Sequence, residues 1–139
     1  MSITLRQFKS SFNQVKDRVE KVRVEELTFL WFDDYYDGML CGILEYKNQK
    51  CRFEIVTDYQ QEIRPRVFAI IELSEEQIAD ETYWHELFEQ HVGSNSISLA
   101  KDTVLHRPQS EHHLFYEPYQ KRPDPHYELN IVKAWYVEE

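Results

Sequence analysis

The sequence predicts an α+β fold: a mostly antiparallel sheet of about five strands, covered on one face by an N-terminal amphipathic helix and a second helix near residues 75–91. Three patterns in its 139 residues carry that prediction. An apolar stripe at helical spacing opens the chain. Turn signals then separate stretches that alternate with a period near two. A full set of helix-start residues follows a strand-like apolar run.

In the first element, Leu5, Phe8, Phe12, Val15, Val19 and Val22 recur at spacings of three and four, and Thr4 with Gln7 makes a capping box. The predicted helix therefore runs from Thr4 to about Val22, and its aromatic residues suit packing on the chain's own sheet. A homodimer through Leu5, Phe8, Phe12, Val15 and Val19 is the alternative use of the stripe. A membrane-surface role is opposed by Asp17 and Glu20, which interrupt the cationic face.

From Leu27 the pattern becomes strand-like. Asp37-Gly38 marks a two-residue hairpin turn with Tyr36 opposite Met39, and Asn48-Gln49 marks the next. That second register places Leu44 opposite Phe53, Glu45 opposite Arg52 and Tyr46 opposite Cys51. It also keeps Cys41 and Cys51 too far apart for a disulfide, so two reduced thiols are expected. Arg66 to Leu73 contains the non-alternating run Val67 to Ile71, the mark of a strand covered on both faces.

Ser74 with Gln77 makes a second capping box, and Leu73 can staple to Ile78. Downstream, Trp84, Leu87, Phe88 and His91 share a face about 140° from Ile78, which predicts a break near Asp80 to Thr82. Gly93 suits the position just past the helix end. Residues 94–128 hold most of the prolines and histidines and read as irregular, with a short helix over Ser110 to Tyr116 that Pro118 stops. Glu117-Pro118-Tyr119 and Arg122-Pro123-Asp124-Pro125 read as extended connectors, and Leu129 to Val137 as the last strand. One domain over residues 1–139 is expected.

Charge and composition bound the function. The chain has 16 Lys and Arg against 25 Asp and Glu, a net charge of −9. Residues 1–24 carry a net +4 and the remainder −13, and Val67 to Ala100 contains seven carboxylates with no Lys or Arg. Such a field repels nucleic acid and favours a basic partner. Three glycines are too few for a dinucleotide or phosphate-binding loop, and no GxSxG, HExxH or CxxC occurs. No apolar run is long enough for a membrane span. The opening Met1-Ser2-Ile3-Thr4 lacks the charged start of a secretory signal, so a cytoplasmic protein is expected.

The residues proposed for partner binding are Asp33, Asp34, Tyr35, Tyr36 and Asp37 at the hairpin tip, with Glu76, Asp80 and Glu81 on the second helix. Asp33 is placed on one face with Trp31, Leu44 and Phe53, opposite Gly42, where it needs a partner and desolvation raises its pKa. Its plain reading is a turn residue. The alternative function is a small hydrolase or metal-dependent enzyme that combines Asp33 with His106, His112, His113 and His126. Nothing in the histidine spacing defines a geometry, and His85 with Glu89 gives only two ligands on one helix face. No metal and no cofactor is expected. The expected function is a non-enzymatic protein-binding module, for example one that neutralises or inhibits a basic partner protein.

Overall fold

A computed structural model of the chain describes residues 2–35, 38–58, 61, 64–94 and 106–138. The elements in chain order are α1 (Leu5–Ser10), α2 (Phe12–Val15), β1 (Glu20–Lys21), β2 (Thr28–Tyr35), β3 (Met39–Tyr46), β4 (Gln49–Ile55), β5 (Arg66–Glu72), α3 (Glu75–His91), α4 (His113–Gln120) and β6 (Val132–Glu138). The six strands form one sheet in the order β1-β6-β5-β4-β3-β2. All neighbours are antiparallel except β1 and β6, so the fold is α+β with a mixed sheet of six strands rather than five.

The sheet curls until its two edges approach each other. Phe29 of β2 and Tyr136 of β6 have ring centroids 5.9 Å apart although three strands stand between them. At the same end the Tyr46 hydroxyl donates to Glu20 at 3.0 Å. Register shifts in β2 between Phe29 and Trp31 and between Phe32 and Tyr35 supply the extra twist that the curl requires. The inner face holds Leu44, Cys51, Phe53, Phe68, Ile70, Ala134 and Tyr136 in one buried cluster. The outer face holds Trp31, Ile43, Val67, Ala69, Ile71 and Trp135, packed beneath Leu5 and Phe8 of α1 and Ile78 of α3. With a core on each side, every residue from Arg66 to Ile71 is buried, as the non-alternating run implies.

The N-terminal stripe is used by the chain's own core, but not as one helix. The capping box of Thr4 and Gln7 forms, yet α1 ends at Ser10. A four-residue helix and a 3₁₀ turn over Lys16–Arg18 carry the chain to β1. The reason is that the stripe serves both faces of the sheet. Leu5 and Phe8 are wholly buried on the outer face, with Phe12, Val15 and Val19 against them, whereas Val22 enters the inner cluster. To pass from one to the other the backbone must round the sheet edge. Trp135 guides it there, donating its indole N–H to the carbonyls of Lys16 and Val19, each at 3.2 Å.

The hairpin registers are also corrected. The second turn is at Lys47-Asn48, both with positive φ (50° and 64°), so Glu45 pairs with Lys50, Leu44 with Cys51 and Gly42 with Phe53. This is a two-residue slip from the expected register, and such a slip leaves every side chain on its original face. Alternation therefore could not distinguish the two. The observed register seats the Phe53 ring on bare Gly42. Both cysteines are free thiols, in agreement with expectation. In the first hairpin Tyr35, not Tyr36, pairs with Met39; Tyr36 and Asp37 of the expected Asp37-Gly38 turn lie outside the described residues.

Helix α3 runs unbroken through the expected break, with the Thr82 hydroxyl donating to the Ile78 carbonyl at 2.7 Å. The two apolar directions on it have two targets: Ile78 meets the sheet, while Trp84 and Phe88 meet Phe115 of α4. Pro118 lies inside α4 instead of ending it. Tyr119 stacks on Phe115 at 4.9 Å and packs edge-on to Trp84 at 5.3 Å, which holds the turn beyond the proline. Glu117-Pro118-Tyr119 is thus helical, not extended. Much of the expected irregular segment is organised, although residues 95–105 lie outside the described ones.

The cap of α3 gives a local prediction. Ser74 accepts the Gln77 N–H at 3.1 Å and Gln77 accepts the Ser74 N–H at 2.9 Å. Ser74→Ala is expected to lower stability by about 1 kcal/mol, read as a small drop in urea midpoint at unchanged slope.

Candidate functional site

Where α3 crosses the outer face of β2 and β4, the apolar layer gives way to charge. Glu81 and His85 follow Ile78 at helical spacing, so both point at the sheet, and both are buried. Asp33 reaches them from β2 and Arg52 from β4. Arg122 and Tyr127 arrive from the segment after α4.

Glu81 is the hub, with only 3% of its side chain exposed. One oxygen accepts from Arg122 at 2.8 Å and from the Tyr127 hydroxyl. The other lies 3.9 Å from Arg52. Arg52 also contacts Asp33 at 3.5 Å and Glu54 at 3.2 Å, and its guanidinium lies 4.6 Å above the Tyr127 ring. Arg122 reaches Asp80 at 2.6 Å, and Lys9 of α1 pairs with Glu54. The positive N-terminal segment therefore does neutralise part of the acidic body. Beside the cluster, His85 stacks face to face on Trp31 at 4.0 Å and lies 3.3 Å from Glu89.

Asp33 and Glu81 hydrogen-bond to each other, and their environments drive them apart. Burial and the Glu81 charge push the Asp33 carboxyl up to about 7, against the pull of Arg52. Burial also works to raise Glu81, but the Tyr127 hydroxyl and Arg122 outweigh it and hold Glu81 below the usual carboxylate range. Below about pH 7 the pair therefore keeps one proton, on Asp33.

Because folding raises the Asp33 pKa above its reference value of 3.8, its contribution to stability is complete below about pH 4 and is lost as pH rises through 7. Glu81 has the opposite sign, and its contribution is lost only below its reference value of 4.5. Asp33→Asn cannot ionise. Relative to the parent it is expected to gain about 1–2 kcal/mol between pH 5 and pH 8, a figure discounted for the 24% exposure of the Asp33 side chain. Urea midpoints at the two pH values test this, and an identical difference at both would remove the assignment.

Above the cluster, a cavity of about 140 Å³ opens between β2, α3 and α4. Six aromatic rings line it: Phe32, Trp84, Phe88, Phe115, Tyr116 and Tyr119. Asp33, His85 and Arg122 are its polar groups. Arg122 lies over the faces of Trp84 and Tyr119, 5.8 Å from each centroid. Small-molecule pockets commonly span about 300–1,000 Å³. This one has room for the end of a side chain.

No family model matches this chain, and no curated protein or solved structure matches it.

The proposed site residues divide into three groups. Asp33, Asp80 and Glu81 are engaged in the charge cluster, with Glu81 buried and Asp33 and Asp80 at its exposed margin. Asp34, Tyr35 and Glu76 are exposed, and Asp34 accepts the N–H of Tyr35 at 2.9 Å. Tyr36 and Asp37 lie outside the described residues. Asp33 shares its face with Trp31 and Arg52; Leu44 and Phe53 face the inner core, and Gly42 pairs with Phe32. Among the described residues, the cavity that Asp33 lines includes His85 but none of the four later histidines. His106 pairs through its backbone with Gly93, His112 contacts the Arg107 carbonyl at 3.2 Å, and His113 and His126 are exposed.

Sequence reasoning missed Arg52, Arg122 and Tyr127. One signal was present: Glu81 and His85 on the Ile78 face imply a buried carboxylate in a stretch that contains no cation of its own.

Proposed function

We propose that this chain is a non-enzymatic protein-recognition module that engages a basic partner protein through the surface of α3 and α4. The observation that carries this reading is the concentration of exposed rings there. Tyr83 is 56% exposed and Tyr116 43%, with Leu114 and Tyr119 beside them on the same helix pair. Tyr35, also well exposed, extends the surface from β2, with its ring 5.9 Å from that of Phe32 at the cavity wall. Exposed Tyr interspersed with charge is the composition of recognition surfaces. Glu75, Glu76 and Glu86 lie exposed on α3, which has no Lys or Arg, so the surface favours a partner of positive charge. Neutralising or inhibiting that partner is one form the function takes.

The split carboxyl pair favours a second reading, acid–base catalysis, because environments that push two pKa values apart are how such sites are built. Against it, Glu81 is buried and engaged by Arg122, Arg52 and Tyr127, so only Asp33 reaches the cavity. A dimer through the N-terminal stripe loses its main support, since Leu5 and Phe8 are buried in the chain's own core.

The test is affinity capture on the immobilised chain from a lysate of its source cells. A basic protein is expected to be retained and to be released by about 0.5 M salt, where charge attraction is screened within a few ångströms. Tyr83→Ser with Tyr119→Ser is expected to abolish retention, while Val24→Ser, an exposed apolar position outside these helices, is expected to leave it intact. Equal retention by the parent and both variants would overturn the reading.

A further inference from the structure

Among the described residues, the charge cluster holds one more carboxyl than cations. Its carboxylates are Asp33, Glu54, Asp80 and Glu81, and its cations are Lys9, Arg52 and Arg122. Of these carboxyls Asp33 lines the cavity, and its pKa is pushed up to about 7. The remaining wall is mostly aromatic, and ring faces attract cations. Two of these rings already hold a guanidinium, since Arg122 lies over Trp84 and Tyr119. Arg122 is directed at Asp80 and Glu81, and Arg52, 3.5 Å from Asp33, is shared with Glu54 and Glu81, so neither cation belongs to Asp33 alone.

We infer that the cavity between β2, α3 and α4 receives the cationic end of one lysine or arginine side chain of the basic partner, with Asp33 as its counter-ion and the surrounding rings as its walls. This assignment rests on the recognition reading above and names the contact at its centre. The volume of about 140 Å³ matches a side-chain end, and the missing charge defines its sign. At pH 6, where Asp33 is mostly protonated, entry of the cation displaces its proton to solvent and charge balances; at pH 8 the carboxylate is already formed and the cation supplies the missing positive charge.

Every element around Asp33 bears on that proton. Glu81 and His85 face the region from α3, and Arg52 and Glu54 from β4. Arg122 and Tyr127 approach from the C-terminal segment, Tyr119 from α4 and the half-buried Cys41 thiol from β3. Asp34, the next residue of β2, is exposed. With its pKa raised to about 7, the Asp33 carboxyl changes charge between pH 6 and pH 8.

The test uses the whole chain with n-butylammonium and methylguanidinium as probes, followed at the indole signal of Trp84 by NMR. Saturable binding is expected, about tenfold tighter at pH 8 than at pH 6, as follows when a group titrating near 7 must ionise first. Asp33→Asn is expected to lose both the binding and its pH dependence, whereas Asp34→Asn is expected to keep both. No saturable binding at pH 8, or binding unchanged in Asp33→Asn, would overturn the assignment. Captured partner retained equally by parent and Asp33→Asn would overturn it while leaving the recognition reading intact. Probe binding without any retained basic protein would support the cation cavity and sink the recognition reading instead.

Discussion

Gly42→Ala is expected to unfold this protein or to lower its stability by about 3 kcal/mol or more. A Cβ at Gly42 would lie 2.1 Å from the Trp31 carbonyl oxygen, 2.6 Å from the Phe32 Cα and 2.9 Å from the Phe53 ring. Two of those neighbours are backbone of β2, so no side-chain rotation relieves the contact. Either β2 separates from β3 or the Phe53 ring leaves the centre of the inner core, where it is wholly buried. Each consequence is large beside the roughly 5–15 kcal/mol that holds a domain together. A displaced β2 would also remove Asp33 and Trp31 from the charge cluster. Circular dichroism and urea denaturation check the prediction, and a variant with the parent midpoint would overturn the β2–β3 register.

Arg122→Ala is expected to cost about 3–5 kcal/mol, because it leaves Glu81 buried without its nearest cation. The next cation, Arg52, is 3.9 Å away and already shared with Asp33 and Glu54. Truncation also strips the guanidinium from the faces of Trp84 and Tyr119, where it ties the end of α4 to α3. The companion change Glu81→Gln is expected to recover part of the loss when combined with Arg122→Ala, since it removes the stranded charge. Urea midpoints of the parent, the two single variants and the double variant give the coupling. Strict additivity would mean that Arg122 and Glu81 do not act as a pair.

These two residues mark where sequence reasoning stops. Gly42 was visible as a bare position in a strand, but its partner depended on register, and the observed register differs from the expected one by two residues in the β3–β4 hairpin. Period-two alternation is blind to a shift of two, so only contacts across the sheet, such as Phe53 on Gly42, could decide it. Arg122 stood in a proline-rich stretch 41 residues from Glu81, and nothing local links them.

Local chemistry alone determined the start and end of α3, the capping box of Thr4 and Gln7, the burial of Val67 to Ile71 on both faces and the separation of the two thiols. Each depends on hydrogen bonds or periodicity within about ten residues. Tertiary structure decided the rest. The N-terminal stripe breaks because its residues serve two cores on opposite faces of one curled sheet. Helix α3 stays whole because α4 gives Trp84 and Phe88 a second surface to meet. Asp33 became a carboxyl of raised pKa at a cavity wall because four carboxyls and three cations, drawn from five separate segments, converge where only folding could bring them together.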